Sequence, residues 1–215
     1  MSSLVQNPFK QSLCEILTPG QLGNVKLEHV EISGEMSLWT AVRAAVKSSS
    51  DPYVPPGRYC HLIVGQRLMM SDTPMEKRSN RQVVHQAHGD VLIAGLGIGM
   101  ILLPILSKPE VKSVTVVEKY EGVVNLVAPA ILAQPGGEKL TVVHGDIHEW
   151  RPTAGTKFDT LYFDIWPAIN EDNLKEMSEL HSAFRKHRRV GGWMDSWMRA
   201  ELKRRQQRRR RQEGF

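Results

Sequence analysis

The sequence predicts an α/β protein built on a doubly wound parallel sheet, and three observations predict it. From residue 90 onward short β-rich runs recur: VLIA (91–94), SVTVVE (113–118), LTVVH (140–144) and DTLYFD (159–164). Their starts lie about 20 to 27 residues apart, the length of one strand plus one crossover helix. Runs such as VLIA and TVV are apolar without alternation, which suits parallel strands covered by helices on both faces. The segments between them read as helices. YEGVVNLVAPAILAQPGG ends near Pro135 and Gly136, and residues 171–188 are strongly amphipathic.

Ahead of this region the signals are weaker. NVKLEHVEIS alternates like a strand, EMSLWTAVRAAVKSS reads as helical, and SSSDPYVPPG (48–57) marks a linker. YCHLIV and RLMMS flank Gly65-Gln66, where glycine can supply the positive φ of a tight turn, so a β-hairpin is expected at 59–71. The chain therefore divides into an appendage and linker (1–58), a hairpin region (59–80), the sheet domain (81–198) and a tail (199–215).

A hydrophobic fraction of 41% over 215 residues suffices for one full core plus an appendage. Cys14 and Cys60 form no CxxC pair and no cysteine-histidine cluster at metal-ligand spacing, so no metal site and a reducing compartment are expected. MSSLVQNPFKQSLCEIL has no basic region leading into a sustained apolar stretch, which points to the cytoplasm. DVLIAGLGIGMILLPIL (90–106) falls short of the roughly 18 to 20 residues a spanning helix needs and contains three glycines and Pro104, so no membrane partner is expected.

The net charge of +5 is unevenly placed. Residues 184–215 hold twelve basic residues against Asp195, Glu201 and Glu213, a net +9, while residues 1–183 carry 16 basic and 20 acidic side chains. Basicity belongs to the tail. RAELKRRQQRRRRQEGF is helix-compatible with arginines on all sides, and its functional reading is salt-sensitive attachment to nucleic acid or another polyanion.

Gly95, Gly97 and Gly99 sit where the first parallel strand should turn into a helix, the place where a doubly wound sheet opens a crevice for a ligand. The spacing is GxGxG, and Met100 stands where a dinucleotide fingerprint requires glycine. Glu118 ends the second strand, and its two oxygens can accept both hydroxyls of a ribose. Asp146 follows the third strand, placed to accept from an adenine amino group, with Ile147 positioned to pack on the base. Asp164 ends the fourth strand, and with Trp166 just beyond it supplies the candidate catalytic residues at the mouth of the site. His85, His88, His144 and His148 lack an accompanying acidic-histidine cluster and read as satisfied or surface residues.

The order VLIAGLGIG, VTVVEKY, VVHGDIHEW and FDTLYFDIWP resembles class I S-adenosylmethionine-dependent methyltransferases over about residues 88–195. The resemblance implies a Rossmann-like methyltransferase sheet with S-adenosylmethionine as cofactor. Gly95, Gly97 and Gly99 would border its amino acid part, Glu118 its ribose, Asp146 and Ile147 its adenine, and Asp164 the methionine moiety or an unidentified methyl acceptor. Within that superfamily the nearest likeness is to spermidine synthases, because the hairpin YCHLIVGQRLMMSD and then Glu76 precede the glycine motif. Ile98 and Met69 depart from that pattern, and DIWP lacks the second acid of a DxxDP-like element. DIWP also resembles, with one proline displaced, the DPPY or NPPY motif of amino-methylating enzymes.

After the helix at 171–188 only VGGWMDSWM can form a strand, so the terminal hairpin of such a sheet is expected to be absent. Its edge would then be covered by the N-terminal hairpin or by a partner subunit in a homo-oligomer. The rival functions are aminopropyl transfer and non-catalytic polyanion binding on the same fold.

Overall fold

The computed structural model describes residues 7–38 and 53–214. Most of the helix expected within EMSLWTAVRAAVKSS lies outside them. Two sheets organise the rest. The first is antiparallel, order β1-β2-β3-β4, from Gly20–Leu22, Val25–Ile32, Gly57–Val64 and Arg67–Ser71. The second is entirely parallel, order β7-β6-β5-β8-β9, from Gly89–Ala94 (β5), Val111–Glu118 (β6), Leu140–His144 (β7), Phe158–Phe163 (β8) and Arg188–Ser196 (β9). Helices α1 (Leu13–Ile16), α2 (Pro74–Ser79), α3 (Arg81–Gln86), α4 (Leu102–Leu106), α5 (Glu121–Leu132), α6 (Asn173–Phe184) and α7 (Arg199–Glu213) precede, connect or follow the strands.

The parallel sheet follows from its composition. Val91, Leu92, Ile93, Val114, Val116 and Leu161 are fully buried, as strands covered on both faces require. The apolar run that opens on Asp90 becomes β5, a glycine turn and the five-residue α4. No helix among the described residues is long and apolar enough to cross a membrane.

The antiparallel sheet corrects the division of the N-terminal region. β3 starts at Gly57 and pairs with β2 over its whole length, so a boundary at 58 falls inside a strand of a single sheet. The hairpin itself forms as expected, with Gly65 at φ +64°. Val25, Leu27 and Leu62 belong to the same core as Val91, Ile93 and Val127. A Cβ on Gly122 of α5 would come within 2.8 Å of Val25, so the absence of a side chain there lets α5 approach the appendage.

Among the described residues the parallel sheet ends at β9, without an antiparallel hairpin. The N-terminal strands pair with one another and rest on α5 rather than covering that edge. β9 guards itself. Its register slips between the Phe158–Arg188 and Thr160–Trp193 pairs, Gly191 is left-handed at φ +79°, and Val190 protrudes fully. Arg189 fastens this bulge to Asp90 and Asp159 at 2.9 and 3.0 Å.

The tail is helical, as its composition allows. Its first turn is anchored by Leu202, buried against the α6 side of the core, whereas residues 208–212 are exposed. Arg209 pairs with Glu171 at 3.0 Å.

Candidate active site

The carboxyl ends of the five parallel strands build one wall. After β5, β7, β8 and β9 a hydrogen bond continues the ladder beyond the strand end: Gly95 N–H to Val117, Gly145 N–H to Glu118, Asp164 N–H to Ala94 and Trp197 N–H to Phe163, all at 2.9 Å. The residues that follow are thereby set side by side. The inner face of the antiparallel sheet and α2 close the opposite wall, leaving a cavity of about 550 Å³. It lies where the connections leave β5 toward opposite sides of the sheet, the topological switch point.

Gly95, Leu96 and Gly97 form the cavity edge next to β5. All three glycines have positive φ, and protein contacts alone already demand them. A Cβ at Gly95 would lie 2.2 Å from the Asp164 carbonyl oxygen, and one at Gly97 2.3 Å from the Met70 sulfur. Gly99 is placed differently. It faces Ile131 of α5, 2.6 Å from where its Cβ would be, and is not part of the cavity wall. Met100, buried and on the wall, occupies the position a dinucleotide site reserves for glycine.

Glu118 is 6% exposed, and both its oxygens accept backbone N–H groups: Oε2 from Leu96 at 2.7 Å and Oε1 from Tyr120 at 2.8 Å. Burial raises its pKa above the usual carboxylate value, and these amides pull the other way. The carboxylate thus ties the β6 end to the glycine turn while facing the cavity, with the Gly97 and Lys119 amides also directed at it. Asp146 accepts from the His148 amide at 2.9 Å and from Lys119 Nζ at 2.9 Å, and the lysine hydrogen bond lowers its pKa. Ile147 is buried beside it.

Asp164 lies on the floor. Burial, and then the charge of Glu76, push its pKa up to about 8. Glu76 is itself raised to about 7 by burial, against hydrogen bonds from the Ser71 amide and hydroxyl, both at 3.0 Å. Glu76 and Asp164 thus line the same cavity. α2 is held in place at its far end: Trp197 Nε1 donates to Ser79 Oγ, and Tyr162 donates its hydroxyl to Asn80 Oδ1, both at 3.0 Å.

Trp166 is buried in the wall, and its indole N–H donates to Glu176 Oε2 at 2.6 Å. The other Glu176 oxygen meets His148 Nε2 at 2.8 Å. His88 and His144 each contact a backbone carbonyl, so three of the four singled-out histidines have partners. Arg205 of α7 also reaches the cavity, bringing the tail to the site it follows in sequence.

One cluster is unexpected from the spacing of the cysteines. Ligand atoms of Cys14, His29 and Cys60 lie within 4.8 Å of one another. The expectation of no cysteine-histidine cluster holds along the sequence and fails in space, because β-pairing joins residues 31 apart.

No protein-family model and no curated protein matches this chain. Among solved structures it is similar to the CcbJ methyltransferase from Streptomyces caelestis, at 18% identity over 55% of this chain and 47% of that one, with a TM-score of 0.46. It is also similar to the glycopeptide N-methyltransferase MtfA complexed with S-adenosyl-L-methionine (20%, 54% and 47%, 0.43). A third is the N-methyltransferase NodS from Bradyrhizobium japonicum WM9 (15%, 58% and 68%, 0.45). The match spans about half the length of the first two.

Proposed function

We propose that this chain is an S-adenosylmethionine-dependent methyltransferase of the class I type. One observation carries the reading: a cavity at the switch point of a parallel sheet holds a buried acid at the β6 end, Glu118, which accepts from the Leu96 amide of the glycine turn and from the Tyr120 amide beyond its own strand. The remaining donors fit the cofactor's parts. Glu118 lines the cavity where its carboxylate can take the ribose hydroxyls in place of or beside its amide contacts, Asp146 and Ile147 suit adenine, and the Gly95–Gly97 edge admits the methionyl chain without side-chain obstruction. Bound there, the cofactor supplies a methyl group made electrophilic by its sulfonium.

The chain's own residues position the acceptor and keep water away. Met69, Met70 and Trp166 form apolar walls beside Asp164. Because Asp164 and Glu76 share a buried setting, the pair retains a proton near neutrality. In that state it donates a hydrogen bond to an acceptor; fully ionised, it accepts the acceptor's proton. Rate then comes mainly from orientation and desolvation.

A second reading, aminopropyl transfer from the decarboxylated cofactor, draws on Glu76 and Asp164 lining one cavity, two acids available to a cationic amine. Thermal shift with S-adenosylhomocysteine, the decarboxylated cofactor and NAD separates these readings. A ligand at about 100 times its dissociation constant should add about 2.7 kcal/mol. Stabilisation by S-adenosylhomocysteine and not by NAD is expected, and no stabilisation by any of the three would refute both enzyme readings.

A further inference from the structure

We propose that Cys14, His29 and Cys60 form a zinc site that pins α1 to the antiparallel sheet behind the cavity. The placement is a consequence of register. His29 of β2 is the direct cross-strand partner of Cys60 on β3, and Leu27–Leu62 and Val25–Val64 are the next pairs on the same face. Cross-strand neighbours on one face have Cβ atoms about 4.5–5.5 Å apart, so imidazole and thiol meet without any special loop. α1 packs on β3, and Leu13 and Leu17, only 1% and 2% exposed, hold it there. Its Cys14 Sγ sits 3.3 Å from Cys60 Sγ.

The second observation is an imbalance in the hydrogen bonding. His29 Nε2 is buried without a partner, while Nδ1 faces Arg58 Nη2 at 2.7 Å. A buried ring nitrogen left unpaired is unfavourable and calls for an occupant. The two sulfurs and the imidazole form a donor set suited to a thiophilic d10 cation, and zinc accepts two thiolates and one imidazole with a fourth position left for water. Tetrahedral bonds of about 2.3 Å would hold the sulfurs about 3.8 Å apart, so the present pair has to open by about half an ångström. The reaction balances as two thiols plus Zn²⁺ giving two zinc-bound thiolates and two released protons.

A disulfide would use only two of these three residues and would leave His29 Nε2 unpaired. Arg58 gives the zinc reading its own signature. While it donates to Nδ1 the ring proton sits on Nε2, so zinc binding at Nε2 moves that proton to Nδ1 and swings the exposed guanidinium out to solvent, at a cost to affinity. Removing the guanidinium frees the ring for the metal. Leu62, two residues from Cys60, lines the cavity, so the bound ion would stiffen a wall of the site without touching its chemistry.

The test uses the full chain, purified metal-free under reductant, reloaded with Zn²⁺ and desalted, with zinc content then measured by elemental analysis and affinity by competition with a chromophoric chelator. Cobalt substitution reads geometry. One zinc per chain, a thiolate-to-cobalt charge-transfer band and tetrahedral d–d bands are expected. Cys14→Ser and His29→Gln should each weaken binding by more than the about 10- to 100-fold that a change in an outer shell costs. Arg58→Ala should bind at least as tightly as the parent chain. Circular dichroism confirms that each variant is folded, and Cys14→Ser, at a partly exposed position, remains informative if His29→Gln unfolds. Three results would overturn the proposal: no zinc retained by the reduced chain, zinc retained equally by Cys14→Ser, or a Cys14–Cys60 disulfide whose reduction yields no zinc binding.

Discussion

Glu118 Oε2 lies 2.7 Å from the Leu96 amide nitrogen, so one carboxylate oxygen bridges the end of β6 and the glycine turn that follows β5. A ribose-binding role therefore comes with a structural one. Glu118→Ala should abolish the thermal shift produced by S-adenosylhomocysteine. It should also lower the stability of the unliganded protein by about 1–3 kcal/mol through unpaired amides. Denaturant titration with and without ligand separates the two effects. A retained ligand shift would remove Glu118 from the site.

Gly95 and Gly97 should fail for different reasons. The obstacle at Gly97 is the flexible Met70 thioether, whereas at Gly95 it is the Asp164 backbone carbonyl. Both substitutions place a side chain at positive φ, which costs about 1–3 kcal/mol. Met70→Ala should recover part of the stability lost in Gly97→Ala and none of that lost in Gly95→Ala. Chemical denaturation of the three single and two double variants measures this.

Asp164 should make the protein less stable as pH rises. Its folded pKa of about 8 stands above the ordinary value of 3.8, so the unfolded chain releases this proton first. No penalty exists below about pH 4, stability falls between there and about pH 8, and it then levels off. Asp164→Asn should flatten that decline and raise Tm at pH 8, with Glu76 contributing the remaining slope. A variant with an unchanged Tm–pH profile would show that Asp164 is not buried as described.

The arginines of α7 should act separately from the cavity. If the expected attachment to a polyanion exists, replacing exposed Arg208, Arg210 and Arg211 by Gln should make log K fall less steeply with log salt. The slope shrinks by about 0.9 for each duplex phosphate that is no longer neutralised. The S-adenosylhomocysteine shift should not change, because Leu202 still anchors the helix. Filter binding across a salt series reads the first quantity.

The parallel sheet was legible because VLIA, VTVVE, VVH and LYF are short apolar runs at crossover spacing, and their register then aligns the residues that follow. Gly95, Glu118, Asp146 and Asp164 could be picked out for that reason. Glu76 drew notice only through family likeness, because its relation to Asp164 depends on a helix 88 residues upstream in sequence. Gly99 looked equivalent to its neighbours, since spacing says nothing about which side of a turn packs on α5. Cys14 and His29 stayed apart on paper because strand pairing and helix docking, rather than local spacing, bring them together.

The bulge in β9 bears on how the molecule behaves in a crowded solution. An open parallel sheet offers a row of unpaired amides and carbonyls that a passing strand can extend. Here the would-be template is kinked by three extra residues, studded with Arg188 and Arg189, and tied down by Asp90 and Asp159. A straight strand from another copy finds neither matching register nor neutral charge along its first half, so the exposed margin resists edge-to-edge growth into fibres.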